Sequence, residues 1–313
     1  MKNASRVLIV ILLVLVLLFS SAQQGCEMSG GGGPGKTEAR KYGLDYSIIT
    51  GIDYLSSGKI LQQGENFYVG VHIENYDNVP RTGEVCISDN VADTYGGISS
   101  QDIGECKFFS VAAADIVKKE SSGLTGKRIV EEVTPGKVDV YFPGEGMYSY
   151  KGLPASQQPW GQKFYVSLRY RQTSRVTGTV SVPMPGYEQI ALAQDPAPIV
   201  LSATKSVHRI QDAYRVDLQM TLAKKQSQAK IYSYDFSQGN VTYFFAQLSP
   251  QNLQCSLANG EPVSGKVVIE NERLLKCSSV VYLAGEVQQS FPLVVTLDYG
   301  VALEREYPFG IKT

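Results

Sequence analysis

Apolar and polar residues alternate strictly along four stretches of the chain, and this period of two constrains the fold more than any other feature. The stretches are GENFYVGVHIEN, KFYVSLRYRQ, YRVDLQMTL and FPLVVTLDYG, which begin at residues 64, 163, 214 and 291. Such alternation is typical of antiparallel strands that bury one face, and in the second stretch Arg169 and Arg171 face outward. No segment keeps a helical period for three turns, and Ser110–Lys119 is the one candidate for a short helix.

Short strands separated by Gly and Pro predict an all-β fold of antiparallel β-sandwiches. A chain of 313 residues has the length of about two domains. We place the first sandwich at residues 41–186 and the second at residues 198–313, because four prolines between residues 183 and 198 stiffen the junction. Residues 64–88 and 161–183 share Phe-Tyr-Val, a polar turn and a second strand, so each is interpreted as a hairpin. Residues 107–160 exceed an ordinary connection between strands and are a candidate for an insertion, and the sequence leaves open whether it is functional.

The first 25 residues have the pattern of a signal sequence or membrane anchor. Lys2 and Arg6 precede the apolar run VLIVILLVLVLLF, which is shorter than the ~20 residues that a membrane span needs. The basic end should stay in the cytoplasm, so the rest of the chain is expected to be exported. Residues 26–40 follow as a Gly-rich linker, which is typical of a flexible tether.

Three fates of the N-terminal segment agree with the sequence. Residues 20–22 offer small side chains to signal peptidase, which would release a soluble protein that starts at Gln23. Gly25-Cys26 resembles the end of a lipoprotein signal, in which Cys26 carries the lipid anchor, although two glutamines precede it. In the third fate the segment stays uncleaved as an anchor. Because a tether is useful only when one end is fixed, we predict a membrane-anchored protein whose bulk is extracellular.

The remaining four cysteines fall into two local pairs, Cys86 with Cys106 and Cys255 with Cys277. In an oxidising exterior these pairs are expected to form disulfides, each closing a loop of about 20 residues within one predicted sandwich. A zinc site is the alternative use, but the chain has two histidines and no Cys-x-x-Cys motif. We therefore predict two disulfides and no metal site.

The charge of the chain is close to balanced. The formal net charge is −1, and removal of Lys2 and Arg6 with the signal leaves 27 basic against 30 acidic residues. No run of basic residues stands out, so we predict no nucleic-acid partner. The oligomeric state has no signature in the sequence.

Two segments resemble known surface proteins. KILQQGENFYVGVHIENYDNVPRTGEVCI, residues 59–87, resembles the opening of the cell-adhesion-related, immunoglobulin-like modules of prokaryotic surface proteins, with Gly-Glu before an alternating strand and Asn at its end. SFPLVVTLDYGVALEREYPFGIK, residues 290–312, is similar to the closing hairpin of related archaeal exported sandwiches. The resemblance implies two tandem immunoglobulin-like sandwiches of about seven to nine strands each and a role in adhesion, envelope structure or scaffolding. It implies no catalytic residues.

The chain carries no recognisable catalytic motif. His72 lies on the outer face of a predicted strand and His208 in a predicted turn, and neither adjoins a nucleophile motif. The closest carboxylate clusters are Glu131-Glu132 and the pair Asp89 and Asp93. Calcium is an alternative for the second cluster, but a solvated turn fits it better. We therefore predict a protein that is not an enzyme and has no cofactor.

Aromatic side chains gather in GEGMYSYKGLPASQQPWGQ, residues 144–162. Exposed aromatic residues on sandwich loops are favoured contacts for proteins and sugars, so Tyr148, Tyr150 and Trp160 are the candidate partner-binding residues. The alternative is that these rings fold back over the edge of the core. Asn240 begins an Asn-x-Thr sequon and is a candidate glycosylation site.

Together these features predict a non-enzymatic, membrane-tethered surface or envelope protein that acts in binding, adhesion or scaffolding. Its partner would be an envelope protein or a glycan. Two alternatives stay open. One is a subunit of an extracellular assembly that polymerises through β-edges, and the other is an exported hydrolase with a carboxylate pair in residues 107–160.

Overall fold

A computed structural model describes residues 43–50, 60–98, 104–123, 126–154, 160–183, 186–195, 197–226, 228–283 and 287–312. These residues form twenty strands, one short 3-10 turn at Asp93–Tyr95 and no α-helix, which confirms the predicted all-β class. The strands are β1 Leu44–Thr50, β2 Ile60–Gln62, β3 Val69–Asn75, β4 Arg81–Asp89, β5 Glu105–Val111, β6 Asp115–Gly123, β7 Gly126–Thr134, β8 Gly136–Phe142, β9 Trp160–Val182, β10 Glu188–Gln189, β11 Leu192–Gln194, β12 Ile199–Ile210, β13 Ala213–Lys224, β14 Ala229–Tyr232, β15 Val241–Leu248, β16 Gln251–Asn252, β17 Gln254–Leu257, β18 Lys266–Val268, β19 Glu272–Val281 and β20 Gln289–Lys312.

The predicted signal or anchor at residues 1–25, Cys26 and the linker at residues 26–40 lie outside the described residues. Within the described part of the chain, no helix has the length and apolar character that crossing a bilayer requires.

Most strands belong to three sheets. Sheet A has the order β1-β3-β8, and sheet C has the order β10-β12-β13-β19-β17. Sheet B is the largest, with the order β16-β15-β20-β9-β4-β5 and with β2, β11, β14 and β18 paired at its sides. Strands β6 and β7 pair only with each other and form a separate two-stranded ribbon.

Two unusually long strands run through the middle of sheet B. β9 pairs antiparallel with β20 along its whole length, from Trp160 opposite Ile311 to Val182 opposite Gln289. The hairpins predicted at residues 161–183 and 290–312 are therefore wrong, because each segment is one continuous strand. The polar residues at the predicted turn keep the inward alternation: Gln172 and Ser174 are buried and lie within hydrogen-bond distance of each other.

The hairpin predicted at residues 64–88 is also wrong. β3 belongs to sheet A and β4 to sheet B, so the chain crosses between sheets at this point. Buried polar side chains hold the crossing: Asn75 donates to the carbonyls of Val79 and Ala112, each at 2.8 Å. Asp77 accepts two hydrogen bonds from Arg81, at 2.7 and 3.0 Å. These bonds satisfy the polar groups that a loop must bury when it turns between two sheets.

Sheets A and C both pack against sheet B. The Tyr46 hydroxyl of β1 donates to the Val166 carbonyl of β9 at 2.8 Å, and the Lys205 ammonium of β12 donates to the Ser181 carbonyl of β9 at 3.0 Å. Sheet B is thus the layer that sheets A and C share. The chain divides by its contacts into Met1–Arg40 and Lys41–Thr313, and the boundary proposed between residues 186 and 198 stays a prediction.

Residues 107–160 are largely strand. They contain most of β5 and all of β6, β7 and β8, so their length does not reflect one long connection. The short helix proposed at Ser110–Lys119 is wrong, because Phe109 and Val111 continue a buried alternation to the end of β5. Beyond it, the β6–β7 ribbon is about 30 Å long at the usual rise of a strand.

Both predicted disulfides form, Cys86–Cys106 and Cys255–Cys277. In each bridge the two cysteines are directly opposite on neighbouring antiparallel strands, with a Cα–Cα distance of 4.0 Å. β5 is at the end of sheet B and β17 at the end of sheet C. Each bridge therefore ties an end strand to the strand beside it.

Candidate ligand groove

Tyr150, predicted as an exposed contact, is a core side chain. It is 1% exposed, and its ring stacks on Phe67 at a centroid distance of 5.4 Å. Tyr148 is half-buried, exchanges two backbone hydrogen bonds with Phe67 and donates its hydroxyl to Glu105. The side chain of Trp160 lies outside the described residues. The expected exposure of Tyr150 is wrong, and a contact role for Tyr148 and Trp160 stays a prediction.

Asp89 explains why Tyr150 turns inward. Its buried carboxylate accepts hydrogen bonds from the Tyr150 hydroxyl at 2.6 Å and from the backbone N–H groups of Val91 and Ile98 at 2.9 and 3.2 Å. Burial raises the pKa of Asp89 to about 6, against the lowering effect of these bonds. The carboxylate fastens the following loop to the core, so neither the solvated turn nor the calcium ligand describes this residue.

His72 lies on the outer face of sheet A between two carboxylates. Its Nδ1 is 2.6 Å from Asp139 Oδ1, and its Nε2 is 3.6 Å from Glu74 Oε1. Glu74 also accepts a hydrogen bond from Tyr76 and pairs with Lys137 at 3.1 Å. Among the described residues no hydroxyl or thiol bonds to the His72 ring, so this cluster has no candidate nucleophile.

His208 lies in β12 rather than in the predicted turn. Its Nε2 is 3.3 Å from Ser206 Oγ and 3.9 Å from Asp217 Oδ2. A serine–histidine–aspartate triad needs the serine on one ring nitrogen and the aspartate on the other. Here both approach the same nitrogen, and Arg215 binds Asp217 at 2.8 Å. The cluster therefore does not have the geometry of a triad.

Glu131 and Glu132 are consecutive on β7, so their side chains point to opposite faces of the ribbon. Glu131 pairs with Lys118 at 3.6 Å, and Glu132 pairs with Lys119. Two carboxylates on opposite faces do not converge on one bond. Glu131 and Glu132 therefore do not form the acid and base pair of the hydrolase alternative.

Two further predictions concern metal binding and glycosylation. Glu84, Cys86 and Cys106 are the one group of potential metal ligands within the described ranges, and the disulfide removes both thiolates from it. Asn240 is exposed, with a left-handed backbone φ of 57°. Its amide is therefore accessible, and glycosylation at this position stays a prediction.

A groove of about 880 Å³ crosses the outer face of sheet B, and we refer to it as the arginine groove. Strands β4 and β9 form its floor, β5 forms one wall, and the loop between β14 and β15 forms the other. Its polar and aromatic lining includes Glu84, Phe108, Arg169, Arg171 and Tyr234. The size is within the range of small-molecule sites in proteins.

Two exposed arginines stand on the floor of the groove. Arg169 and Arg171 are two residues apart on β9, so both point outward, about 7 Å from each other along the strand. Arg171 is positioned by Tyr234: its Nε donates to the Tyr234 carbonyl at 3.1 Å, and its guanidinium lies 5.1 Å from the ring centroid. The Arg169 side chain makes no hydrogen bond or ion pair with any described residue, although Glu84 is directly opposite on β4.

Phe108 forms the β5 wall, and it is 87% exposed. Phe108, Glu84 and Arg169 occupy one row across three neighbouring strands. Neighbouring strands are about 4.8 Å apart. The backbones of Phe108 and Arg169, which are two strands apart, are therefore separated by about 10 Å. A fully exposed phenylalanine beside an unpaired cation is surface that a ligand with both apolar and anionic groups would cover.

The opposite wall is built by residues 233–238. Hydroxyl donors from two serines of this loop lower the pKa of Asp235 to about 2, so the carboxylate that organises the loop stays ionised. Phe236 has a φ of 61°, and its ring packs over Gly300 of β20. A Cβ at position 300 would lie 2.7 Å from that ring, so glycine is required there. The wall that carries Tyr234 is therefore fixed in position.

The arrangement favours an anionic ligand with an apolar face. Each guanidinium has a fixed positive charge and presents paired N–H donors that match a carboxylate or a phosphate. Phe108 and Tyr234 supply aromatic surface on either side of the arginines. Glu84 is the one carboxylate among the described lining residues, and its charge opposes an anion.

The sequence contained a sign of this site that composition does not reveal. Arg169 and Arg171 are two residues apart on one predicted strand, which places two cations on its outer face. Because they are separated by polar and apolar residues, no basic run is apparent. Phe108 and Tyr234 are far away in sequence, and only the pairing of β4, β5 and β9 and the β14–β15 loop bring them beside the arginines.

No family model and no curated protein matches the chain. Among solved structures, the envelope protein VP37 of White Spot Syndrome Virus is 8% identical with a TM-score of 0.23, over 42% of this chain and 97% of that one. A protein of Eubacterium rectale that is inferred to be secreted is 12% identical with a TM-score of 0.20, over 86% of this chain and 75% of that one. At such TM-scores neither likeness bears on function, which rests on the residues of this chain.

Proposed function

We propose that this protein is a non-enzymatic, exported protein, tethered to the membrane by its N-terminal segment, that binds an anionic component of the cell surface or envelope. The arginine groove is the proposed binding site. The observation that carries the proposal is the exposed, unpaired Arg169 between the exposed ring of Phe108 and the Arg171–Tyr234 pair.

Export is supported by two independent features of the chain. A basic start followed by an apolar run of signal length directs the rest of the chain across a membrane. The two disulfides persist in an oxidising exterior and are rare in the cytosol. The Gly-rich linker then keeps the folded part near the membrane and leaves the groove free to turn toward its ligand.

Binding is favoured over polymerisation through β-edges, because long cations cover several of those edges. Arg305 donates to the Tyr46 carbonyl of β1. Lys107 donates to the Tyr141 carbonyl of β8 at 2.5 Å, and Arg273 donates to the Val268 carbonyl of β18 at 2.8 Å. An edge whose carbonyls are occupied beside a charged side chain is a poor template for another strand.

The proposal is tested with the full chain, purified in mild detergent and mixed with isolated cell envelopes. We compare cosedimentation of the original protein with the double variant Arg169→Gln/Arg171→Gln. Arg175→Gln is the matched control, because Arg175 lies on the same strand and face but does not line the groove.

We expect the double variant to lose at least tenfold in apparent affinity, since each charge-assisted hydrogen bond contributes about 1.5–3 kcal/mol. The control should stay within about twofold, and binding should weaken with salt because exposed charges are screened. Equal cosedimentation of the double variant and the original protein would overturn the groove as the binding site.

A further inference from the structure

The geometry points to an acidic glycan, a sugar chain that carries carboxylates, as the ligand of the arginine groove. This inference rests on the proposed function and adds the chemical class of the ligand. It depends on three kinds of side chain in the groove, each matched to a different chemical group of such a sugar.

The first match is between arginine and carboxylate. Arg169 is exposed and has no partner among the described residues, so its five N–H donors are available. A planar guanidinium binds a planar carboxylate through two parallel hydrogen bonds. Arg171 is held by Tyr234 at its Nε, which fixes its position beside Arg169. The groove thus presents one free and one preorganised cation on neighbouring outward positions of β9.

The second match is between the aromatic wall and the C–H face of a sugar ring. A pyranose has one face lined with C–H groups, and that face packs against aromatic rings. Phe108 and Arg169 flank Glu84 in one row, so one sugar ring that lies over Glu84 would contact both Phe108 and Arg169. A small inorganic anion would bind the arginines but would leave the 87% exposed ring of Phe108 uncovered. The aromatic wall therefore favours a sugar acid over a simple anion.

The third match is between the remaining polar side chains and sugar hydroxyls. Thr82, Ser110 and Thr173 line the groove and are exposed, and the Thr173 hydroxyl donates to Asp298 at 2.6 Å and so is available only as an acceptor. Thr82 and Ser110 are opposite each other on β4 and β5, two residues along from the row of Glu84 and Phe108. Hydroxyl groups both donate and accept hydrogen bonds, as sugar hydroxyls do, and the Glu84 carboxylate accepts them. The groove is also open to solvent on the sheet face, so a polymer is able to lie along it.

The test is calorimetric titration of the full chain in mild detergent with oligogalacturonate of defined length. The matched ligand is the same oligosaccharide with its carboxyl groups reduced to neutral alcohols, and inorganic phosphate and sulfate are competitors. The protein variants are Arg169→Gln, Phe108→Ala and Glu84→Gln, with Arg175→Gln as the control. All four positions are largely on the surface, and circular dichroism and the melting temperature verify that each variant is folded.

We expect binding of oligogalacturonate that the neutral oligosaccharide does not reproduce. Arg169→Gln should weaken it at least tenfold and Phe108→Ala at least fivefold, while Arg175→Gln should stay within twofold. Glu84→Gln should strengthen binding two- to fivefold, because it removes the negative charge beside Arg169. This gain is a readout that damage to the fold would not produce.

Three results would overturn the inference. The first is equal binding of the charged and the neutral oligosaccharide. The second is displacement of oligogalacturonate by equimolar phosphate or sulfate, together with no effect of Phe108→Ala, which would make the groove a site for small anions. The third is no binding of oligogalacturonate while envelopes still bind in an Arg169-dependent manner. That third result would leave the proposed function intact. If Arg169→Gln did not weaken binding to envelopes, both the proposed function and the acidic-glycan inference would be overturned.

Discussion

The buried carboxylate of Asp89 should make the stability of the protein depend on pH in an unusual direction. Burial raises the pKa of Asp89 from 3.8 to about 6 in the folded protein. An acid whose pKa is raised by folding binds more protons in the folded state than in the unfolded state between these two values. The free energy of unfolding therefore falls as the pH rises from about 4 to above 6, and is constant with respect to this group beyond that.

The magnitude follows from the size of the pKa difference. A shift of about 2 pKa units at about 1.4 kcal/mol per unit corresponds to about 3 kcal/mol. Glu74 contributes to the pH dependence with the opposite sign, because the hydrogen bond from Tyr76 lowers the pKa of its carboxyl below the ordinary value. The contribution of Asp89 is therefore isolated by comparing the original protein with Asp89→Asn, which keeps the size of the side chain and removes its charge.

We propose urea unfolding of both proteins with intact disulfides at pH 4, 5, 6 and 7. The free energy of unfolding of the original protein should fall by about 2.4 kcal/mol relative to that of Asp89→Asn between pH 4 and pH 7, because the unfolded acid is already more than half ionised at pH 4. Tyr150→Phe serves as a third protein: without the hydroxyl that donates to Asp89 at 2.6 Å, the pKa of the carboxyl should rise further and the loss should shift to higher pH. A constant difference between the original protein and Asp89→Asn over the whole range would refute the reasoning.

Three further predictions follow from single features of the chain. Gly97→Ala should lower the free energy of unfolding by about 2–4 kcal/mol in urea titrations, because Gly97 has a φ of 85° and a Cβ there would overlap the Tyr150 ring; an unchanged midpoint would contradict the packing described for Tyr150. Cys86→Ala/Cys106→Ala should lower the free energy of unfolding by about 3 kcal/mol in the same assay, because the unfolded chain loses the loop constraint. Peptide mapping of the original protein without reduction should recover only the pairs Cys86–Cys106 and Cys255–Cys277. Cys26→Ser should abolish labelling by a lipid precursor if Cys26 carries the anchor; membrane association without any label indicates an uncleaved span, and a soluble protein that starts at Gln23 would refute the tether.

The fold class and the disulfides could be predicted because they depend on local patterns. Alternation identified the strands, and each cysteine lies opposite the nearest cysteine along the chain. The hairpin predicted at residues 161–183 is wrong because the sequence does not distinguish a polar turn from polar residues that are buried inside one long strand. Within β9, the buried Gln172 amide donates to the Ser174 hydroxyl at 3.4 Å, and Ser174 lies 3.1 Å from the Tyr299 hydroxyl, so the strand continues through these polar residues.

The candidate site was only partly predictable, for a different physical reason. Tyr150 has the same local sequence context as an exposed loop residue, and its burial depends on Asp89, 61 positions away. The groove likewise depends on the register of β4 and β5 with β9, which sets Phe108 in the same row as Arg169. Alternation identifies which side chains point outward, but it does not specify which outward side chains become neighbours.

Protection of individual arginines from chemical labelling tests the central claim most directly. The full chain is treated with phenylglyoxal, which modifies accessible guanidinium groups, in the presence and absence of isolated envelopes, and each arginine is quantified by mass spectrometry. If the groove binds an anionic surface component, labelling of Arg169 should fall at least fivefold in the presence of envelopes, while Arg175 on the same face of β9 should be labelled at an unchanged rate. Equal labelling of Arg169 with and without envelopes, under conditions in which the protein is bound to them, would contradict the account.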